Sequence, residues 1–241
     1  MALLEFQGVS KRFGGLLATN DVTFSIEEGE VLSIIGPNGA GKTTIFNLIT
    51  GFIKPDQGSI RFHGQSIVGK KPYQIARIGV GRTFQIVKPL VNMSVLENVM
   101  LGAFSRTSST GEARNKALEI LELTGLHNRK DMTAGSLTLA GRKRLEIARA
   151  LAIRPKLILL DEVVAGLTPT EAVETIKLLK ELKSHGISAV GGIEHVMRVV
   201  MEISDRVIVI NHGTKIAEGT PQDVTSHPEV IKAYLGSSEE E

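Results

Sequence analysis

The sequence predicts an α/β fold: a mainly parallel sheet, an N-terminal antiparallel β subdomain and an inserted helical subdomain. Three observations predict it. Val31-Leu32-Ser33-Ile34-Ile35 is a branched apolar run, followed by the glycine-rich stretch Gly36-Pro37-Asn38-Gly39-Ala40-Gly41-Lys42-Thr43 and a helical pattern from Thr44 to Thr50 that Gly51 stops. After Pro155, strand and helix patterns alternate as far as Asn211, the order of a parallel sheet with helices on its faces. Between these halves, apolar residues repeat at helical spacing from Val95 to Arg154.

Taken in order, residues 3–9 and 17–26 alternate like half-buried strands, and 59–62 reads as a third strand reached through the turn Pro55-Asp56-Gln57-Gly58. Together they predict a small antiparallel sheet beside the core. Ser94 offers an N-cap for a helix over 95–103, Gly125 stops a second over 112–123, and a third spans 141–152. Residues 105–111, rich in Ser, Thr and Gly, read as a mobile surface connection. Strands then follow at 157–160, 187–191 and 206–211, with helices at 170–185 and 195–203 between them. Asn211-His212-Gly213 predicts a turn into a hairpin with 215–218, and the tail Ser237-Ser238-Glu239-Glu240-Glu241 reads as solvated. The expected organisation is a single domain over 1–241. Its antiparallel subdomain and the start of the core occupy 1–92, the helical subdomain 93–136, and the rest of the core with the tail 137–241.

At 241 residues and 42% hydrophobic content the chain can bury a sizeable core. Its net charge of +2 is too small to point to nucleic acid as a main partner, and the absence of cysteine excludes disulfides and thiolate metal or redox sites. Residues 1–6 show neither the basic end nor the apolar stretch of a signal peptide. The longest apolar runs fall short of the ~20 residues that span a bilayer. A cytosolic protein is expected, whose link to any membrane runs through another subunit.

Strand, glycine turn and helix together give the stretch from Gly36 to Thr44 a mechanism as a phosphate-binding loop, so the core reads as a P-loop nucleotide-binding core. Gly36, Gly39 and Gly41 let the backbone curl so that N–H groups and the helix N-terminus face the phosphates of a nucleoside triphosphate. Lys42 can reach the β and γ groups, and the Thr43 hydroxyl is placed for Mg2+. The alternative is a glycine-rich turn without a ligand. Asp161-Glu162 ends the aliphatic run Leu157-Ile158-Leu159-Leu160, at the strand edge where ligands collect in open αβ sheets. There Asp161 would hold Mg2+ through water and Glu162 would polarise the water attacking the γ-phosphate, unless the pair is an ordinary solvated strand end. His195, just past another apolar strand, reads as a γ-phosphate contact or as a helix-start histidine. Gln85 is a neutral donor and acceptor near the entry to the helical segment, able to touch Mg2+ or the attacking water, and otherwise a surface turn residue. Phe13, upstream of the loop and at the end of the first strand, is the one obvious ring there for stacking on adenine, with core packing as its alternative.

The set Phe13, Gly36 to Thr44, Gln85, Leu137 to Gly141, Asp161-Glu162, Ala165 to Thr168 and His195 resembles, in order and spacing, the nucleotide-binding subunit of ABC transporters. The resemblance covers nearly the whole chain. Leu137-Thr138-Leu139-Ala140-Gly141 occupies the place of the family signature Leu-Ser-Gly-Gly-Gln. It implies that the Thr138 hydroxyl and the Ala140 N–H approach the γ-phosphate of a partner's ATP. Ala140 stands for a glycine, Gly141 for the glutamine and Val163 for a common proline, departures that bear on turnover more than on binding. Ala165-Gly166-Leu167-Thr168 resembles the loop that crosses to the opposing subunit, and Thr168-Pro169-Thr170-Glu171 is independently a capping box.

The implied mechanism is an ATP sandwich, with Lys42 of one subunit and Thr138 of a second ATPase subunit, sister or identical, holding one nucleotide and Mg2+. Gln85 and the helical segment would pass closure to two transmembrane permease subunits, and a periplasmic or extracellular substrate-binding protein would act indirectly. The implied location is the cytoplasmic face of the cell membrane, with no nucleic acid partner. The stretches from Ile75 to Gln85, Met93 to Val99 and Asn211 to Pro221 look most like the ATPases of branched-chain amino acid importers. A urea or amide importer ATPase, the ATPase of lipopolysaccharide export, and a weakly hydrolysing soluble ABC-type protein acting outside transport are the alternatives.

Overall fold

The computed structural model describes residues 2–84, 89–185, 187–192 and 197–235. Two sheets organise it. Strands β1 (Ala2–Phe13) and β2 (Leu16–Glu27) pair antiparallel, and the chain then enters β3 (Val31–Ile35), helix α1 (Lys42–Ile49), β4 (Gln57–Phe62), β5 (Gln65–Ser66), α2 (Pro72–Ile78) and β6 (Val80–Arg82). The helical stretch comprises α3 (Val95–Ala103), α4 (Thr110–Leu123) and α5 (Leu139–Ala152). The remainder is β7 (Leu157–Asp161), α6 (Pro169–Ser184), β8 (Ser188–Gly192), α7 (Met197–Ile203), β9 (Arg206–Asn211), β10 (Thr214–Gly219), α8 (Pro221–Thr225) and α9 (Pro228–Leu235). The first sheet has the order β2-β1-β4-β5 and the second β10-β9-β3-β8-β7-β6. Every pairing in the second is parallel except the β9–β10 hairpin, in agreement with the predicted α/β class.

Burial explains the sequences of the central strands. All five residues of β3 and of β7 are buried, as expected where helices or a second sheet cover both faces of a parallel sheet. On one face, Ile34 and Ile45 and Phe46 of α1 share a core with Phe6, Phe24 and Ile60 of the antiparallel sheet, where Phe6 and Phe24 stack at 4.8 Å. The antiparallel sheet therefore closes over the helix that starts at the phosphate loop. On the other face, Ile158 and Leu160 join a core with Val99, Ala117 and Leu145 of the helical stretch and Ile176 of α6.

Local signals fix several boundaries. Ser94 and Glu97 form the capping box of α3, and Thr168 and Glu171 that of α6, each by reciprocal side-chain to backbone hydrogen bonds. His212 (φ +45°) and Gly213 (φ +77°) make the two-residue turn between β9 and β10. Several elements differ from the sequence pattern. Helix α5 starts at Leu139 rather than 141, because the Thr138 hydroxyl accepts the Gly141 N–H at 3.2 Å and caps it. Helix α4 starts at Thr110, capped by Ser109. Strand β6 and helix α2 have no counterpart in the sequence reading; β6 is three residues long and exists through pairing with β7, more than seventy positions away.

Helices α3 and α5 meet at Gly102, where an added Cβ would lie 2.7 Å from Ala152 Cβ and 2.8 Å from the Arg149 carbonyl oxygen. The replacement Gly102→Leu should force these helices apart and destabilise the protein by about 1–3 kcal/mol, read as a lower urea midpoint. An unchanged midpoint would refute this close contact.

Candidate functional site

The phosphate loop follows β3 and threads between backbone segments that leave no room for a side chain. Gly36 has φ +153°, and a Cβ there would sit 2.0 Å from the Ile210 carbonyl oxygen; Gly41 has φ +107°, and its Cβ would sit 2.2 Å from the Ala18 carbonyl oxygen. Only glycine fits at these positions. Gly41 is the N-cap of α1, so the helix begins where the loop ends and directs its first N–H groups into the loop. Lys42 is buried, and its ammonium donates to the carbonyl oxygens of Gly36 at 2.6 Å and Pro37 at 2.7 Å. Burial lowers its pKa below the ordinary lysine value, opposed by the carboxylates of Glu162 and Asp161. Asn38, Gly39 and Thr43 are exposed, Ala40 is buried and Thr44 is half-buried.

Asp161 is the last residue of β7. Its N–H donates to the Thr83 hydroxyl at 3.0 Å, while the Thr83 N–H donates to the Leu159 carbonyl at 2.9 Å, so β6 holds the acid at its strand end. Its Oδ2 faces Arg82 Nη2 at 3.4 Å, and its buried Oδ1 has no hydrogen-bond partner among the described residues. Burial raises the Asp161 pKa, against the attraction of the Arg82 guanidinium. Glu162 follows in a left-handed conformation, φ +48°, a turn that costs a non-glycine residue about 1 kcal/mol. Its carbonyl oxygen accepts a hydrogen bond from the Lys143 ammonium.

Thr43 and Asp161 line the same cleft, which has a volume of 840 Å³ and also carries Arg82, Phe84, Glu146 and Arg149 on its walls. A threonine hydroxyl and a buried carboxylate oxygen with unused acceptor capacity suit Mg2+, which takes one or two protein oxygens and completes its shell with water and phosphate. Among the described residues, no group of three or more His, Cys, Asp or Glu side chains is arranged to hold a metal alone.

The other predicted residues fall in separate places. Phe13 ends β1 and is 46% exposed, outside any core. Thr138 is exposed at the start of α5 and Ala140 is buried behind it. A Cβ at Gly141 would come within 3.3 Å of Leu137 Cβ, so a larger residue would crowd this helix start. Val163 is buried. Gln85 and His195 lie outside the described residues.

Two site residues escape the sequence reading. Arg82 enters there only within the stretch from Ile75 to Gln85 that carries the resemblance, with no role of its own, although it reaches Asp161. Glu146, flanked by Lys143 and Arg149 at three-residue spacing, has the pattern of a solvated helix face yet is buried in the cleft. Burial raises its pKa to about 7, against a hydrogen bond with the Phe84 backbone and the charges of Arg149 and Lys143.

Residues 19–165 match the ABC transporter family model. The chain belongs to the ABC transporter family. Residues 214–240 of this ABC cassette match a second model, described as branched-chain amino acid ATP-binding cassette transporter. The cassette is 43% identical to the high-affinity branched-chain amino acid transport ATP-binding protein LivG of Escherichia coli, over 98% of each chain. It is 36% identical to the ADP conformation of an ATP-binding cassette of an ABC transporter, with a TM-score of 0.89 over 98% of this chain and 100% of that one. A dimeric ATP-binding cassette in a post-hydrolysis state, bound to ADP and Pi, is 28% identical with a TM-score of 0.81 over 90% of this chain and 98% of that one. The expected fold class and enzyme class, an ABC-type ATP hydrolase, therefore stand.

The buried Glu146 gives this ABC cassette a pH-dependent stability. Its folded pKa of about 7 lies above the ordinary 4.5, so the folded state holds the proton more tightly. This contribution is full below pH 4.5, falls as pH rises, and is gone above about 7. Replacing the carboxylate by Glu146→Gln should leave the melting temperature near wild type at pH 5. At pH 8 it should raise stability by about 1 kcal/mol. Equal shifts at both pH values would contradict the buried-carboxylate account.

Proposed function

We propose that this cassette is the ATP-hydrolysing subunit of a branched-chain amino acid importer. The observation that carries the substrate class is the match of residues 214–240 to the branched-chain amino acid model, together with 43% identity to LivG over nearly the full length. Both favour this reading over a urea, amide or lipopolysaccharide system. No helix among the described residues is long and apolar enough to cross a membrane. The cassette would attach to the cytoplasmic face through two permease subunits, served by a substrate-binding protein on the other side.

Phosphoryl transfer to water requires positioning and charge stabilisation more than covalent chemistry. Gly36 to Thr44 supply backbone N–H groups to the triphosphate, and Lys42 neutralises its β and γ oxygens. Phe13 stacks on the base. Bound Mg2+, held by Thr43 and Gln85 and through water by Asp161, would draw negative charge from the β and γ phosphates. Glu162 accepts a proton from the water that attacks the γ-phosphorus, and His195 contacts the γ-phosphate. The Thr138 hydroxyl and Ala140 N–H of the partner cassette close the other side, so ATP holds two cassettes together and hydrolysis releases them.

The replacement Glu162→Gln should lower kcat by at least about 100-fold while leaving ATP binding intact, and should trap a dimer with MgATP, alone or with its sister cassette, in size-exclusion chromatography. Lys42→Ala should instead weaken nucleotide binding. Unchanged hydrolysis by the Glu162 variant would remove that residue from its role. For the substrate class, deletion of the gene should abolish isoleucine uptake, restored by the wild type but not by the Glu162 variant.

A further inference from the structure

Arg82 does work that the roles assigned above leave unexplained. Its side chain is 7% exposed at the end of β6, a costly place for a guanidinium. Three sets of contacts hold it there. Nη1 donates to Asn47 Oδ1 at 2.7 Å and to Thr50 Oγ1 at 3.2 Å, at the C-terminal end of the helix that begins with Lys42. Nη2 faces Asp161 Oδ2 at 3.4 Å. The guanidinium carbon lies 5.0 Å from the ring centre of Phe84, 5.6 Å from that of Phe46 and 5.9 Å from that of Phe52.

This arrangement divides the Asp161 carboxylate into two unlike oxygens. Oδ2 faces the arginine, whereas Oδ1 is buried without a partner among the described residues. A carboxylate fixed through one oxygen presents the other in one direction. Hydrogen bonds to a ligating carboxylate orient it in this way in metal sites generally. We propose that Arg82 is a positioning residue for the Mg2+ site, fixing Asp161 through Oδ2 so that Oδ1 is left for the metal's coordination shell. The inference rests on the reading of Asp161 as the metal-side acid.

A lysine could not replace it. One ammonium cannot span Asn47 and Asp161 while lying flat among three rings; the planar fork of arginine can. The same contacts extend the site outward. Phe52 and Phe84 are exposed on the cleft wall, so two of the three rings that hold the guanidinium belong to that surface. Their packing sets the arginine, and the arginine sets the acid.

The test compares binding of β,γ-imido-ATP to the full-length protein in Mg2+ and in EDTA by calorimetry. Wild type should bind more tightly with Mg2+. In Arg82→Gln and Arg82→Lys that gain should shrink by about tenfold, the usual scale for losing a partner of a metal ligand, with affinity in EDTA changed by less than about twofold. The replacement Asn47→Ala keeps the arginine but removes its 2.7 Å anchor. It should lose part of the gain, and it carries the test if the Arg82 variants do not fold. Equal weakening in Mg2+ and EDTA, or no weakening in either, would make Arg82 a structural tie between β6 and α1 and overturn the proposal. A wild type that binds without any Mg2+ gain would overturn the metal reading of Asp161 itself, a failure distinguishable from the first because it appears before any substitution.

Discussion

Backbone crowding at the phosphate loop is the constraint on which the rest of the structure depends. The loop passes against the end of β9 at Gly36 and against β2 at Gly41, at distances that exclude a Cβ. Those contacts join three parts of the molecule. The Gly213 N–H donates to the Ala40 carbonyl at 2.9 Å, and the Asn20 N–H donates to the Gly213 carbonyl at 2.8 Å. The β9–β10 turn is therefore pinned between the loop and the antiparallel sheet. Backbone contacts on both sides fix the course of the loop, and a loop fixed in this way can present N–H groups that need little reorganisation when phosphate arrives.

The second theme is buried charge held at close quarters. Burial acts against the charged forms of Lys42, Arg82, Asp161 and Glu146 alike. Their mutual attraction offsets part of that cost, through pairs such as Arg82 with Asp161. Such an arrangement is a poor way to stabilise a fold, since apolar residues of the same size often serve as well. It suits the proposed site for a triphosphate and a divalent cation, which would bring opposite charge to the lysine and to the aspartate respectively. The low polarity that penalises each isolated charge also strengthens each new contact.

What the sequence reveals depends on how local the cause is. Ser94 with Glu97, Thr168 with Glu171, and Asn211-His212-Gly213 act within a few residues, so their patterns translate directly into caps and a turn. The phosphate loop is equally legible because strand, glycines and helix are contiguous. Strand β6 is not, because its three residues become a strand only by pairing with β7. Arg82 is hidden for the same reason: its partners at positions 47, 50 and 161 come from two distant elements. Glu146 misleads more actively. Its neighbours Lys143 and Arg149 imitate an exposed charged stripe, and only the packing of α5 against the cleft reverses that meaning. His195 is marked locally only by its place just past an apolar strand, whereas the role expected of Gln85 rests on the family resemblance.

The altered signature sequence shows how a cap and a proposed ligand contact can share one residue. Thr138 ends the preceding turn and its hydroxyl oxygen accepts the Gly141 N–H, which fixes the start of α5. Accepting that bond uses one lone pair and leaves the hydroxyl proton available to donate. The cap and the proposed donation to a partner's γ-phosphate therefore do not compete; the first orients the group that performs the second. Gly141 fits the same arrangement, because a Cβ on residue 141 would lie 3.3 Å from Leu137 Cβ and the leucine would have to give way slightly. In this chain the helix start is secured by the threonine cap, and the side chain that the usual glutamine would contribute there is not needed to hold it.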